Sequence, residues 1–152
     1  MKNDVSQVID RTDLIENILN QIIEKYTSPR KDAFEFFWTI LLDSSIMPLG
    51  SKIKVVMAIS QRIKFKLNSD PLHKVVSYRN AFAHHGLNAH PTVLVGKTPE
   101  EDELQYILHI IKQSGKTERK SREAALDEFN ANYETAKKAL VDLLDSVKQL
   151  ES

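Results

Sequence analysis

The stretch YRNAFAHHGL, residues 78–87, holds the side chains of this sequence best suited to chemistry: an arginine, an asparagine and two adjacent histidines. A helix turns by about 100° per residue, which places Arg79 among apolar neighbours. Because a guanidinium keeps its proton, burial there requires an anion, either a ligand or a carboxylate such as Asp43. Alternatively, the aliphatic part of the Arg79 side chain packs against its apolar neighbours while the guanidinium lies in water. Taken alone, Arg79 is better explained by these structural interpretations than by a ligand.

Metal binding is a second chemistry that the histidines suggest, because His84 and His85 are adjacent and His90 follows. On a helix, however, adjacent side chains point about 100° apart, and no carboxylate or cysteine completes a recognisable spacing. A cationic side chain in the last helical turn also suits the helix dipole. We therefore expect neither a metal site nor a cofactor.

The helix that carries these residues has clear start and stop signals. Asp70 supplies a capping carboxylate, Pro71 occupies the first helical position, and Gly86 is a natural end. The sequence therefore predicts a helix over about 71–85. Its polar stripe, spaced by four, three and four residues, consists of His73, Ser77, Asn80 and His84.

The order arginine, asparagine, three further residues and histidine resembles the signature of the HEPN superfamily (higher eukaryotes and prokaryotes nucleotide-binding). Arg79, Asn80 and His84 match its version with four intervening residues. The segment LLDSSIMPLGSKIKVVMAIS, residues 41–60, also resembles the helix-turn-helix upstream of the motif in the mannitol-repressor-like branch. The resemblance covers about 34–86, and the rest of the chain only by its helical pattern.

The resemblance implies a helical bundle that forms a homodimer, with two motifs facing each other across a cleft. Many members are metal-independent ribonucleases that act as toxins or antiviral effectors. Arg79, Asn80 and His84 would then be catalytic: His84 transfers protons, Arg79 binds phosphate, and Asn80 orients either group. The neighbouring residues expected to bind substrate are His73, Lys74, Ser77 and His85.

Two functions therefore stay open. The first is cleavage of RNA through attack by its own 2′-hydroxyl. The second is a non-catalytic regulator or protein-interaction module of the same fold, since fold does not fix function. The expected partners are a second copy and RNA, with an antitoxin or regulatory protein as a further candidate. Gly86 stands where some HEPN toxins carry a tyrosine that an antitoxin modifies, which argues against that form of control.

Composition limits the classes of protein. The chain has 152 residues, 41% apolar and 28% charged, which is typical of one globular domain over 1–152. It has no cysteine, no signal-peptide pattern and no stretch of transmembrane length, so we expect a cytoplasmic protein without a membrane partner. Net charge is zero, yet residues 51–91 hold seven basic residues, including Lys52, against one acidic residue. A solvated helix face is the favoured explanation of that charge.

The remaining pattern predicts a mainly α fold, an up-and-down helical bundle with a small β-hairpin before a long C-terminal helix. A first helix is expected to be capped at Thr12-Asp13, and the apolar run 34–42 is expected to be the central, most buried helix. PTVLVG, residues 91–96, is expected to pair with the β-rich segment 104–120, and Thr98-Pro99-Glu100 is an alternative helix start. From Ser121 a final helix carries a seam with spacings of three and four: Leu126, Phe129, Tyr133, Ala136, Leu140, Leu143, Val147 and Leu150.

Overall fold

A computed structural model describes residues 2–85, 91–94 and 103–150. The chain is mainly helical, with a small antiparallel sheet ahead of a long C-terminal helix, which confirms the predicted fold class. The elements are α1 (Lys2–Thr27), α2 (Phe34–Phe36), α3 (Leu49–Arg62), α4 (Asp70–His85), β1 (Pro91–Leu94), β2 (Glu103–Ile111), β3 (Thr117–Ser121) and α5 (Arg122–Gln149). In the described part of the chain, no helix combines the length and apolarity needed to cross a membrane.

The chain divides into two compact units. The first combines Met1–Thr12 with His73–Tyr133, and the second combines Asp13–Leu72 with Glu134–Ser152. The first unit contains the sheet and nearly all of α4, including Arg79, Asn80 and His84, which we call the Arg79 motif. The second contains α2 and α3. The single domain expected over 1–152 stays a prediction.

Helix α1 begins a full ten residues before the predicted cap. Thr12 does not cap a helix end: its hydroxyl is buried and donates to the carbonyl of Val8 at 2.7 Å, one turn back. A threonine inside a helix can satisfy its hydroxyl in this way, so a capping residue type did not mark a helix start here.

Residues 31–41 form three short helical pieces. A 3-10 turn at Lys31–Ala33 leads into α2, which leads into a π-helix at Phe37–Leu41. Phe37 is buried, but most of the other large apolar residues are exposed: Phe34, Phe36, Ile40 and Leu41. The prediction that this run is the most buried helix is therefore wrong. An apolar pattern on all sides shows which faces avoid water, but it does not show that the same chain covers them.

The predicted strand pairing is confirmed and extended. β1 and β2 run antiparallel, and the predicted segment 104–120 contains both β2 and β3, so the sheet has three strands in the order β1-β2-β3. The turn between β2 and β3 contains Gly115 at φ +87°, a left-handed conformation that favours glycine. The alternative helix start at Thr98-Pro99-Glu100 lies outside the described residues.

Helix α5 confirms the predicted C-terminal helix and most of its seam. Six seam residues are buried within the single chain: Phe129, Tyr133, Ala136, Leu140, Leu143 and Val147. Leu126 is half-buried, and Leu150, beyond the helix end, is exposed. Burial within one chain means that the seam gives no support for a second subunit.

Candidate functional site

Helix α4 positions the candidate residues, and its range agrees with the prediction. It begins at Asp70, whose backbone N–H donates to the side-chain oxygen of Asn68 at 3.1 Å. Its apolar side is buried at Leu72, Val75 and Phe82. The polar stripe therefore lies on the side of α4 that faces away from the core.

Arg79 lies at the boundary between the two sides of α4. It is half-buried, and its Nη1 lies 3.5 Å from Asn80 Oδ1, at the long limit of a hydrogen bond. Among the described residues, no carboxylate forms an ion pair with Arg79. Asp43 accepts hydrogen bonds from the backbone and hydroxyl of Ser45, at 2.9 and 2.5 Å, and these bonds hold the pKa of Asp43 below its usual value. The Arg79 guanidinium thus keeps an unneutralised charge beside Asn80.

The rest of the predicted site is accessible to solvent. Asn80 and His84 are exposed one turn apart, and within the described residues the His84 side chain makes no hydrogen bond. Lys74 is exposed, and His73 and Ser77 are half-buried on the same helix. The side chain of His85, and His90 as a whole, lie outside the described residues. The structure therefore brings Arg79 and Asn80 together and leaves His84 open to a ligand.

Neither protein-family models, nor curated proteins, nor solved structures give a match to this chain. Within the part that the structure describes, no three His, Asp or Glu residues are grouped so as to hold a metal ion. The site is therefore interpreted from its own side chains.

The buried side of α4 carries a polar cluster that the sequence did not suggest. The Tyr78 hydroxyl donates to Glu128 on α5, and Lys120 on β3 forms an ion pair with the same carboxylate. Lys120 Nζ lies 3.1 Å from the Tyr78 oxygen and 3.1 Å from Glu118. Glu118 also pairs with Lys112 at 3.1 Å. These contacts connect α4, the sheet and α5 within the first unit.

Protonation in this cluster is fixed near neutral pH. Burial and the hydrogen bond to Glu128 raise the pKa of Tyr78 to about 12. Burial alone would lower the pKa of Lys120, but hydrogen bonds with Glu128, Tyr78 and Glu118 outweigh it and raise that pKa above its usual value. Hydrogen bonds from Lys120 and Tyr78 lower the pKa of Glu128. A neutral phenol, an ammonium and a carboxylate that are paired in this way hold structure and do not transfer protons at neutral pH.

Sequence reasoning missed this cluster because its members are far apart along the chain. Tyr78 lies 42 residues from Lys120 and 50 from Glu128. No short motif spans such separations. The available signal was Tyr78 itself, since a tyrosine at the edge of an apolar helix side usually has a partner for its hydroxyl.

Lys52 corrects one further expectation. It was counted with the basic residues of the 51–91 region, but it is fully buried in the second unit. Its Nζ donates to Glu16 Oε2 and to the carbonyl of Leu42, both at 2.5 Å. Its charge is therefore neutralised inside the protein and adds nothing to a surface field.

Proposed function

We propose that this protein is a metal-independent endoribonuclease whose catalytic residues are Arg79, Asn80 and His84. The observation that carries the proposal is a contrast on α4. The polar groups on one side are paired, whereas on the other side the half-buried Arg79 has no ion-pair partner among the described residues, and Asn80 and His84 are exposed. The resemblance of Arg79, Asn80 and His84 to the HEPN signature supports the same function.

The reaction needs a general base, a general acid and a positive charge beside the phosphate. A base takes the proton of a ribose 2′-hydroxyl, and the 2′-oxygen then attacks the adjacent phosphorus. The bond from phosphorus to the 5′-oxygen breaks, and an acid supplies a proton to that oxygen. The products carry a 2′,3′-cyclic phosphate and a 5′-hydroxyl. His84 suits proton transfer, and Arg79 suits the charge that develops on the phosphate oxygens.

Asn80 and the residues around it have supporting roles. The Asn80 amide lies beside Arg79 and holds the guanidinium or a phosphate oxygen in place. His73, Lys74 and Ser77 extend the polar side of α4 toward its N-terminus and bind the RNA on either side of the cut. One motif has a single imidazole at its centre, and a homodimer would supply a second, so that one His84 acts as base and the other as acid.

A second candidate function is a non-catalytic regulator or protein-interaction module. The exposed large apolar side chains of residues 34–46 favour it, because exposed apolar side chains close together along a chain are often covered by a protein partner. In that case the Arg79 motif would bind an anionic ligand without cleaving it.

RNA cleavage in the presence of a chelator separates these possibilities. The wild-type protein, incubated with end-labelled RNA of mixed sequence, is expected to release fragments with 2′,3′-cyclic phosphate ends at the same rate with and without chelator. Activity that is lost in chelator and restored by a divalent ion would contradict the mechanism and favour a metal site at His84, His85 and His90. An absence of cleavage would favour the non-catalytic module.

A further inference from the structure

The end of helix α3 has a backbone conformation that is unusual for the residue found there. Lys64 follows the helix with φ +61°, in the left-handed region that glycine prefers. Its N–H donates to the carbonyl of Gln61 at 3.2 Å. The next N–H, that of Phe65, donates to the carbonyl of Ser60 at 2.8 Å. These two bonds form a Schellman motif, in which a left-handed residue ends a helix.

A lysine at this position is strained, whereas a glycine would not be. In the left-handed region the Cβ of an L-residue comes too close to the following carbonyl oxygen, and glycine has no Cβ. The turn between β2 and β3 shows the usual solution, since Gly115 occupies it at φ +87°. Backbone strain of this kind is concentrated at functional sites. The stability of the helix end gives no reason for Lys64, so the reason lies in its side chain.

Lys64 is the middle one of three exposed cations at alternate positions. Arg62, Lys64 and Lys66 are all exposed. The apolar residues that alternate with them are half-buried: Ile63, Phe65 and Leu67. Successive cations are two residues apart, so their α-carbons lie at most about 7 Å apart, which is less than the Debye length of about 8 Å at physiological salt. The three charges therefore act together on an anion, and we call residues 62–66 the basic segment.

The charges of the basic segment are not neutralised by the residues that the structure describes. Its three cations take part in no ion pair there. Along the chain, no Asp or Glu lies between Asp43 and Asp70. Lys52 of the same unit is the contrast, because it is fully buried and paired with Glu16. The charge of an exposed, unpaired cation is available to an anion in solution.

The basic segment suits the phosphate backbone of RNA. A nucleic acid meets several cations at once and releases its condensed counterions, so closely spaced lysine and arginine side chains bind it without contacts to bases. A membrane surface suits the segment less well, because surface-bound segments also bury exposed apolar side chains in the lipid. Of the large exposed apolar residues in the described chain, none lies within residues 50–69.

We propose that the basic segment, in the second unit, is a binding surface for the phosphate backbone of RNA. Arg62, Lys64 and Lys66 each contact phosphate and none reads a base, so this binding does not depend on RNA sequence. The choice of RNA as the polyanion rests on the proposed function. The surface raises the affinity for RNA and takes no part in the chemical step.

RNA whose 2′-hydroxyls are methylated tests the basic segment without cleavage, because the proposed attack needs a free 2′-hydroxyl. Fluorescence anisotropy measures its affinity over a range of salt concentrations. For a single strand, each phosphate contact contributes about 0.7 to the slope of log K against log salt, so Lys66→Gln should weaken binding about fivefold at about 0.1 M salt. The triple variant Arg62→Gln, Lys64→Gln and Lys66→Gln should lower the slope by about 2.

Lys138→Gln is the matched control. Lys138 is an exposed lysine of the same unit, but Glu134 and Asp142 lie one turn before and one turn after it on α5. Its substitution changes the net charge of the protein by the same amount as Lys66→Gln does. Both the affinity and the salt slope should stay at the wild-type values.

Lys64→Gly separates RNA binding from stability. Glycine removes the cation and relieves the strain, so this variant should bind RNA about fivefold more weakly and yet unfold at a temperature roughly 2–4 °C higher. Lys64→Arg keeps both the cation and the strain, so it should match the wild type in both measurements. A Lys64→Gly variant that unfolds at a lower temperature than the wild type would show that Lys64 holds the fold instead.

Three results would overturn the proposal: a wild type that does not bind the methylated RNA, basic-segment variants that bind it as tightly as Lys138→Gln, or binding to phosphatidylglycerol vesicles without binding to RNA. The proposed enzyme is tested separately, on unmodified RNA. Binding without cleavage would contradict only the proposed enzyme. Cleavage by a triple variant of unchanged affinity would contradict only the basic segment.

Discussion

Tyr78 and Arg79 are neighbours in α4, but their polar groups are in opposite situations. The Tyr78 hydroxyl is enclosed between Glu128 and Lys120, each group satisfied by the others. The Arg79 guanidinium has a long contact with Asn80 and, within the described residues, no carboxylate partner. One helix therefore presents a paired polar side and an open polar side about 100° apart.

The difference separates residues that hold the fold from residues available to a ligand. A paired, partly buried polar group contributes to stability, and its protonation is fixed by its partners. Arg79 is half-buried and has no ion-pair partner among the described residues, so its charge stabilises little within the fold and is available to an anion in solution. On this basis, substitutions on the Tyr78 side should change unfolding, and substitutions on the Arg79 side should change activity.

The largest effect is expected at His84. His84→Ala should lower the rate of RNA cleavage by about 10²–10⁴-fold, because general acid–base catalysis by one side chain contributes roughly that factor. Its unfolding free energy should stay within about 0.5 kcal/mol of wild type, since His84 is exposed. Single-turnover kinetics and denaturant unfolding of the same sample measure both quantities. A variant that cuts at the wild-type rate would remove His84 from the mechanism.

A somewhat smaller loss is expected at Arg79. Arg79→Lys should impair cleavage nearly as much as Arg79→Ala, by about 10²–10³-fold, because lysine keeps the charge but not the planar two-pronged contact with phosphate. The comparison is made on variants shown to be folded. Full activity of the lysine variant would mean that charge alone is needed at this position.

On the paired side, the expected effect is on stability. Tyr78→Phe should lower the unfolding free energy by about 1 kcal/mol, because it removes the hydroxyl but leaves Lys120 and Glu128 paired with each other. Arg79→Ala, measured by the same denaturant titration, should change it by less than about 0.5 kcal/mol. Equal losses in the two variants would show that Arg79 also holds the fold.

The smallest predicted effect is the dependence of stability on alkaline pH. The pKa of Tyr78 is raised to about 12 in the folded protein, so the folded state keeps a proton that the unfolded chain loses first. Its contribution is complete below about pH 10, the usual phenol value, and is lost as the pH rises toward 12. The raised pKa of Lys120 acts in the same direction. Unfolding curves of wild type and Tyr78→Phe should therefore converge over this range, and a constant difference would contradict the shift.

Local patterns predicted helices α4 and α5 well. Helix α4 lies between a proline start and a glycine stop, and the three-and-four spacing of α5 corresponds to buried residues. Both features depend on residues close together in sequence, which is the information that a periodicity contains.

Features that depend on distant residues could not be predicted in this way. The partners of Tyr78 come from β3 and α5, and the burial of Lys52 depends on Glu16 and the Leu42 carbonyl. The prediction that residues 34–42 are the most buried helix failed for a different reason. Their apolar composition predicted burial, but whether a surface is covered depends on what packs against it. The Arg79 motif was found from sequence because its residues lie within six positions of each other.

Cleavage of one RNA by two folded single variants at adjacent positions, Tyr78→Phe and Arg79→Ala, tests the division of α4 most directly. We expect Tyr78→Phe to keep the wild-type rate within about threefold at a temperature where it is fully folded, and Arg79→Ala to lose about 10²–10³-fold. An equal loss in both variants, or an Arg79→Ala variant with the wild-type rate, would contradict the assignment of catalysis to the open side of α4.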